Sequence, residues 1–312
     1  MSRTAYYWDP ISLEHDTGHH AENILRAEHL RPENMRRLIP NLDARPVEKH
    51  DTVEWICRVH DRDYHNWVKQ VCENGGGILD LGDTPVSLRS YEAALGSVDA
   101  GLTAADAIMG GTADNAFCAV RPPGHHCLPS RAMGFCIFSN VAITARYLEE
   151  KYRVARIAIV DFDVHHGNGT QHIFWRDPEV FFASVHQYPL FPMSGHAREM
   201  GDGPGLGATL NLPMPPGTSE EEYLAEFEKK VLPAVDHFGP EFLLVSAGFD
   251  GHVADPLADL RLTEDGFARI TRDLKKLAEE HCQGRIISML EGGYNLEALE
   301  RSVAAHVAAL ME

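Results

Sequence analysis

The run Arg156-Ile-Ala-Ile-Val160 leads without a break into Asp161-Phe-Asp-Val-His-His-Gly-Asn-Gly169. The apolar, β-branched part is long enough for a buried strand. A strand turns successive side chains to opposite faces, so this spacing puts Asp161, Asp163 and His165 on one side and Phe162 and Val164 on the other. Two carboxylates and an imidazole then converge where the strand gives way to a Gly-rich turn. In an open parallel sheet, ligands bind beyond the carboxyl ends of the strands. Two carboxylates crowded there repel each other unless a cation or hydrogen-bond donors compensate them. A single Asp at such a place can simply cap the next helix. The whole constellation reads as a metal site.

Other segments repeat the pattern of a short apolar run followed by a helix-length stretch. Ala116–Val120, Val180–His186, Leu210–Leu212, Phe242–Ala247 and Arg285–Leu290 read as strands. Helices are expected over 51–60, 61–73, 90–109 (with Ser90 as N-cap and Gly110-Gly111 as stop), 140–152, 219–237, 263–281 and 295–310. Residues 5–50 read as aromatics and short helical patterns punctuated by Pro32, Pro40 and Pro46. Strands alternating with helices imply a parallel sheet covered on both faces. No repeat or linker divides the 312 residues, so 1–312 reads as one α/β domain.

Composition narrows the function classes. A net charge of −18 argues against nucleic acid as a partner, which needs a basic footprint, and favours cationic substrates at long range. No stretch approaches a membrane span, and the opening residues lack a signal-peptide apolar region, so no membrane role is expected. The six cysteines form no Cys-x-x-Cys pair, which fits free thiols in a reducing cytoplasm. Association into homo-oligomers stays open.

Three more strand ends carry reactive side chains. Phe242-Leu-Leu-Val-Ser-Ala-Gly-Phe-Asp250 ends in a carboxylate, with Gly248 allowing an unusual backbone just before it. Asp163, His165 and Asp250 together make a three-ligand site with an open position, the arrangement of catalytic zinc, although an oxygen-rich shell also tolerates iron or cobalt. Arg121-Pro-Pro-Gly-His-His126 places two adjacent imidazoles after a strand. Glu291-Gly-Gly-Tyr294 places a phenol on a loop that can approach a ligand closely.

With RPPGHH (121–126), GFCIFSNVAI (134–143), DFDVHHGNGTQ (161–171), SAGFD (246–250) and EGGYN (291–295), the chain resembles the histone deacetylase and acetylpolyamine amidohydrolase family, in its zinc-dependent class II-like branch, from about Tyr7 onward. The resemblance implies the arginase/deacetylase fold, a three-layer α/β/α sandwich around an eight-stranded, mostly parallel sheet. It implies hydrolysis of an N-acyl amide on a primary amine, with Zn2+ held by Asp163, His165 and Asp250. His125 and His126 would hold and deprotonate the attacking water, Asp161 would orient His125, and Tyr294 would donate to the substrate carbonyl. The partner position of His126 holds Asn168, as in class II-like members. Gly134, Phe135 and Phe191 would line the acyl-amine tunnel, with Asp83 and Leu257 at its rim. A structural K+ would use Asp161, Asp163, His165, Ser184 and Val185.

The expected substrate is an acylated lysine in a peptide or protein, with an acylated polyamine as the alternative. A binuclear arginase-like site is set aside, because Asp163-Val-His165-His-Gly167 ends in glycine and Asp250-Gly-His252 lacks a second Asp. The run Gly201–Gly207 contains Pro and precedes a strand, so it fails as a nucleotide loop and reads as a flexible loop near the site. A non-catalytic acyl-amine-binding scaffold should have lost a ligand, a histidine or the tyrosine, and all are present.

Overall fold

The computed structural model describes residues 2–312. Ten strands occur among them: β1 (Thr4–Tyr7), β2 (Asp43–Arg45), β3 (Gly76–Ile78), β4 (Pro85–Ser87), β5 (Asn115–Cys118), β6 (Ile157–Asp161), β7 (Val180–Gln187), β8 (Thr209–Met214), β9 (Phe242–Ala247) and β10 (Ile286–Leu290). Eight form one sheet in the order β2-β1-β5-β10-β9-β6-β7-β8, while β3 and β4 form a separate antiparallel hairpin. Every pairing in the large sheet is parallel.

Alternation along β10 shows why helices cover both faces. The Ser288 hydroxyl meets the His306 ring on the C-terminal helix Leu296–Met311 at 2.8 Å. The next residue, Met289, turns the other way and packs against Gly101 and Thr144 of helices Ser90–Met109 and Asn140–Tyr152. Both faces are therefore buried, and β5, β6, β9 and β10 are buried at every position. This is the expected three-layer architecture, with the sheet parallel throughout.

Several expectations need correction. β1 and β2 were not anticipated: Thr-Ala-Tyr-Tyr is only four residues long and buried on both faces, so it shows no alternation to detect. The helix expected over 219–237 is Glu220–Glu226, a π turn at Phe227–Val231, and Leu232–Phe238. Pro233 has no N–H to donate to the preceding turn, which accounts for the irregularity there. Helix Ser90–Met109 is preceded by Arg89 at its N-cap position, and the Ser90 hydroxyl instead accepts from Ser87 N–H and meets His15. The 201–207 run packs on the end of the helix Asn168–Phe174, with Asp202 N–H donating to the Trp175 carbonyl.

Candidate active site and metal centre

β5, β10, β9 and β6 are consecutive in the sheet, and the four reactive segments leave their carboxyl ends side by side. β6 stops at Asp161, so Asp163 and His165 lie beyond the pleat. Their placement comes from a turn: Asp161 Oδ1 accepts from Asp163 N–H at 3.1 Å, and Asp163 Oδ1 accepts from His165 N–H at 2.8 Å. The strand alternation expected for this stretch therefore ends at its first carboxylate.

Asp163, His165 and Asp250 offer ligand atoms within 4.8 Å of one another. His165 Nδ1 lies 3.1 Å from Asp163 Oδ1 and 3.0 Å from Asp250 Oδ2. The outward oxygens are taken by backbone: Gly292 N–H donates to Asp163 Oδ2 at 2.8 Å and Val164 N–H to Asp250 Oδ1 at 3.0 Å. Donors around a tetrahedral zinc stand about 3.3 Å apart for bonds of about 2.0 Å, so the set fits such an ion. Burial opposes charge on His165, yet hydrogen bonds to the two carboxylates push its pKa up to about 10. A divalent cation would take the place of that proton.

Two glycines let the carboxylates approach. A Cβ on Gly248 would lie 1.9 Å from Asp163 Oδ2, and one on Gly292 would lie 2.1 Å from Asp250 Oδ2. Gly248 is thus needed for close approach rather than for the unusual backbone expected of it, since it has no positive φ.

The tandem histidines pack ring against ring, with centroids 4.0 Å apart and planes inclined by 41°. His125 Nδ1 lies 3.0 Å from Asp161 Oδ2, and His126 Nδ1 lies 2.8 Å from Asn168 Oδ1. Burial opposes charge on His125, but Asp161, Asp163 and Glu291 together carry its pKa well above normal. Burial, then the positive charges of His125 and His165, hold His126 well below normal. The two rings are thus pushed in opposite directions, His125 toward the cation and His126 toward the neutral form, the division an acid/base pair needs. An amide oxygen only accepts, so Nδ1 of His126 carries the hydrogen and Nε2 keeps its lone pair.

Tyr294 lies against the Phe135 ring at 5.9 Å, with its hydroxyl pKa held well above normal by burial. Phe135 has φ 69°, unusual for a residue with a side chain, and its N–H is held by Thr84 Oγ1 at 3.1 Å. Phe191 flanks His126 and His165 at 5.1 and 6.3 Å. Gly134 lies between, where a Cβ would come within 2.5 Å of the His126 ring. Outside Phe191 a cavity of about 540 Å3 is lined by Leu79, Leu81, Asp83 and Met133. The Asp80 carboxylate accepts the N–H groups of residues 82–84, leaving Asp83 at the rim with its pKa pushed up to about 6 by burial and by Asp80. Leu257 is 37% exposed. Asp161 and Ser184 are register partners on β6 and β7, Val185 follows, and the Ser184 hydroxyl meets His186 Nδ1 at 2.9 Å.

Sequence reasoning missed a buried charge cluster behind the site. Glu22 Oε1 lies 3.1 Å from Arg26 Nη1 and 2.6 Å from Arg121 Nε, and all three side chains are buried. Burial opposes charge on Glu22, but the positive charges around it, that of Arg121 foremost, hold its pKa below normal. The i, i+4 spacing of Glu22 and Arg26 was the available signal. Glu291, noted only within its motif, accepts the N–H groups of Gly124 and His125 at 2.7 and 3.1 Å and so holds the tandem-histidine loop.

Residues 19–310 match the histone deacetylase domain. Histone deacetylase 14, chloroplastic, of Arabidopsis thaliana is 40% identical over 273 residues, covering 84% of this chain; the chain spans 64% of that relative's length. The histone deacetylase-like amidohydrolase of Pseudomonas aeruginosa is 38% identical over 317 residues, covering 94% of this chain and 82% of that protein. The crystal structure of an acetylpolyamine aminohydrolase from Burkholderia pseudomallei is similar with a TM-score of 0.88 at 28% identity, covering 98% of each chain.

Proposed function

The chain belongs to the histone deacetylase family, and from that membership we propose that residues 1–312 form one zinc-dependent amidohydrolase domain acting on N-acylated primary amines, foremost Nε-acyl-lysine in peptides or proteins. The observation that carries the reading is the meeting of three metal-ligand side chains, an oppositely tuned histidine pair and a tyrosine on four adjacent strand ends. Zn2+ held by Asp163, His165 and Asp250 would supply Lewis acidity toward the acyl carbonyl and acidify a water. Neutral His126 takes the proton of the attacking water at Nε2 and returns it to the departing amine. Asn168 Oδ1 fixes the tautomer that leaves Nε2 free. Cationic His125, oriented by Asp161, donates to the water, and the Tyr294 hydroxyl donates to the carbonyl oxygen as charge develops there.

Phe135, Gly134 and Phe191 border the acyl-amine stem in this reading, and Asp83 and Leu257 meet what lies outside. A structural K+ would sit among Asp161, Asp163, His165, Ser184 and Val185. All six cysteines are free, which suits a reducing compartment, in our reading the cytoplasm. No helix among the described residues is long and apolar enough to cross a membrane. The second reading, an acetylpolyamine substrate, is favoured by the Burkholderia neighbour. A kinetic panel of acetyl-lysine peptide, longer acyl-lysines and acetylpolyamines decides between them, run on metal-depleted protein and after adding back zinc or cobalt. We expect turnover only with metal and the highest kcat/KM on an acyl-lysine peptide. Full activity in protein shown metal-free by elemental analysis refutes the mechanism. A preference for acetylputrescine over every acyl-lysine overturns the substrate alone. Metal-loaded protein that binds acyl-lysine without turnover would be a scaffold.

A further inference from the structure

The loop Glu291–Asn295 carries Tyr294 and is gripped from two sides. Arg26 donates to the carbonyls of Gly293 and Glu291, and its guanidinium lies 5.0 Å from the Tyr294 ring centroid. On the amide side stands Asp255. Its Oδ2 accepts from the N–H of Tyr294 at 2.7 Å and of Asn295 at 3.2 Å, and its Oδ1 accepts from Leu257 N–H at 3.1 Å.

Asp255 is only 7% exposed and makes no ion pair among the described residues. A buried carboxylate without a cation is retained only where other donors compensate it. Here three backbone N–H groups, together with the start of helix Leu296–Met311, whose dipole favours a negative charge, offset part of that cost, while burial and the charge of Asp250 push the pKa up to about 6. That helix does not need Asp255 as its cap, because Asn295 already accepts from Ala298 N–H at 3.0 Å. What remains for the carboxylate is to join the tyrosine loop to the segment that carries Leu257, a link it shares with Asn295, whose Nδ2 donates to the Ala254 carbonyl at 3.0 Å.

We propose that Asp255 is a positioning residue for Tyr294: its carboxylate sets the backbone from which the phenol reaches the acyl oxygen and ties the Leu257 rim segment to the same loop. The proposal rests on the amidohydrolase reading of Tyr294. An oxyanion donor acts only within a few tenths of an ångström of its place, so a loosened backbone lowers kcat while substrate binding persists.

The test is a double-mutant cycle on the zinc-loaded protein. Asp255→Asn keeps the shape but turns one acceptor into a donor, and Asp255→Glu keeps the charge while moving the oxygens by one methylene. Each is made in the wild type and in Tyr294→Phe, with zinc content and melting followed. In the wild type we expect Asp255→Asn to lower kcat at least tenfold with KM within about threefold, and Asp255→Glu to lower it less. In Tyr294→Phe the further loss should be under about threefold. Equal fold losses in both backgrounds, or an unchanged kcat, overturn the proposal. Amide exchange of the wild type needs no substrate: Tyr294 and Asn295 N–H should exchange slowly, and exchange at free-loop rates overturns the proposal even if neither variant folds. A wild type inactive on every acyl-amine fails the functional reading and leaves this exchange measurement to decide the role of Asp255.

Discussion

Replacing Asn168 by Asp changes one atom at a place where the consequence can be calculated. Asn168 Oδ1 lies 2.8 Å from His126 Nδ1, and the His126 ring has its pKa held well below normal by burial and by the charges of His125 and His165. A carboxylate there puts a negative charge about 4 Å from the centre of the imidazolium. At an effective dielectric near 20 that attraction is about 4 kcal/mol, and in bulk water about 1 kcal/mol. Asn168 is partly exposed, so the interaction falls between these limits. At about 1.4 kcal/mol per pKa unit, the His126 pKa should rise by roughly one to two units. If His126 is the base, its neutral form is the active one, so the acidic limb of the kcat/KM profile should move to higher pH by the same amount. The assay is turnover of a fluorogenic acetyl-lysine peptide from about pH 5 to 10, with zinc content and melting followed in parallel. A limb that stays put or moves down, in a folded and zinc-loaded variant, refutes the assignment of His126 as base.

Tyr294→Phe should lower kcat by about a hundredfold or more, the scale of one lost oxyanion donor, with zinc content unchanged; an active Phe variant would reassign that role. Gly292→Ala should weaken zinc binding by about tenfold or more in chelator competition, since its Cβ would lie 2.1 Å from Asp250 Oδ2 and 2.7 Å from Asp163 Oδ2, and wild-type affinity would contradict this. Leu257→Glu should shift the kcat/KM ratio of acetylpolyamine to acetyl-lysine peptide upward by up to about fivefold, as for a single partly exposed charge pair; an unchanged ratio would remove Leu257 from the rim.

Much of the site could be read in the chain because it is written in contiguous pieces. Each reactive group follows an apolar run, so Asp161, His125, Asp250 and Tyr294 announce themselves as strand-end residues, and the order of helices and strands follows from the alternation of segments. The geometry behind the pattern was less legible. Asp163 and His165 come together through a turn after β6, which a period-two argument cannot describe. β1 escaped notice because four buried residues carry no period. Glu291 and Asp255 were illegible as site residues because their partners are backbone groups distant in sequence, and although Glu22 and Arg26 sit at i, i+4, nothing local marks their contacts with Arg121 and with the carbonyls of Glu291 and Gly293.

The position of β10 in the sheet has a consequence for how the molecule assembles. The tenth strand in the chain is fourth in the sheet, inserted between β5 and β9, which have no pairing with each other. Until Ile286–Leu290 leaves the ribosome, the nascent polypeptide can build only two half-sheets, β2-β1-β5 and β9-β6-β7-β8. Each would present as an open edge an inner strand that is buried at every position in the finished fold, a template for pairing with other chains. Closing that gap joins segments far apart in sequence, so it should come late and slowly. The period between translation of β9 and docking of β10 is the window in which a chaperone matters most to this protein.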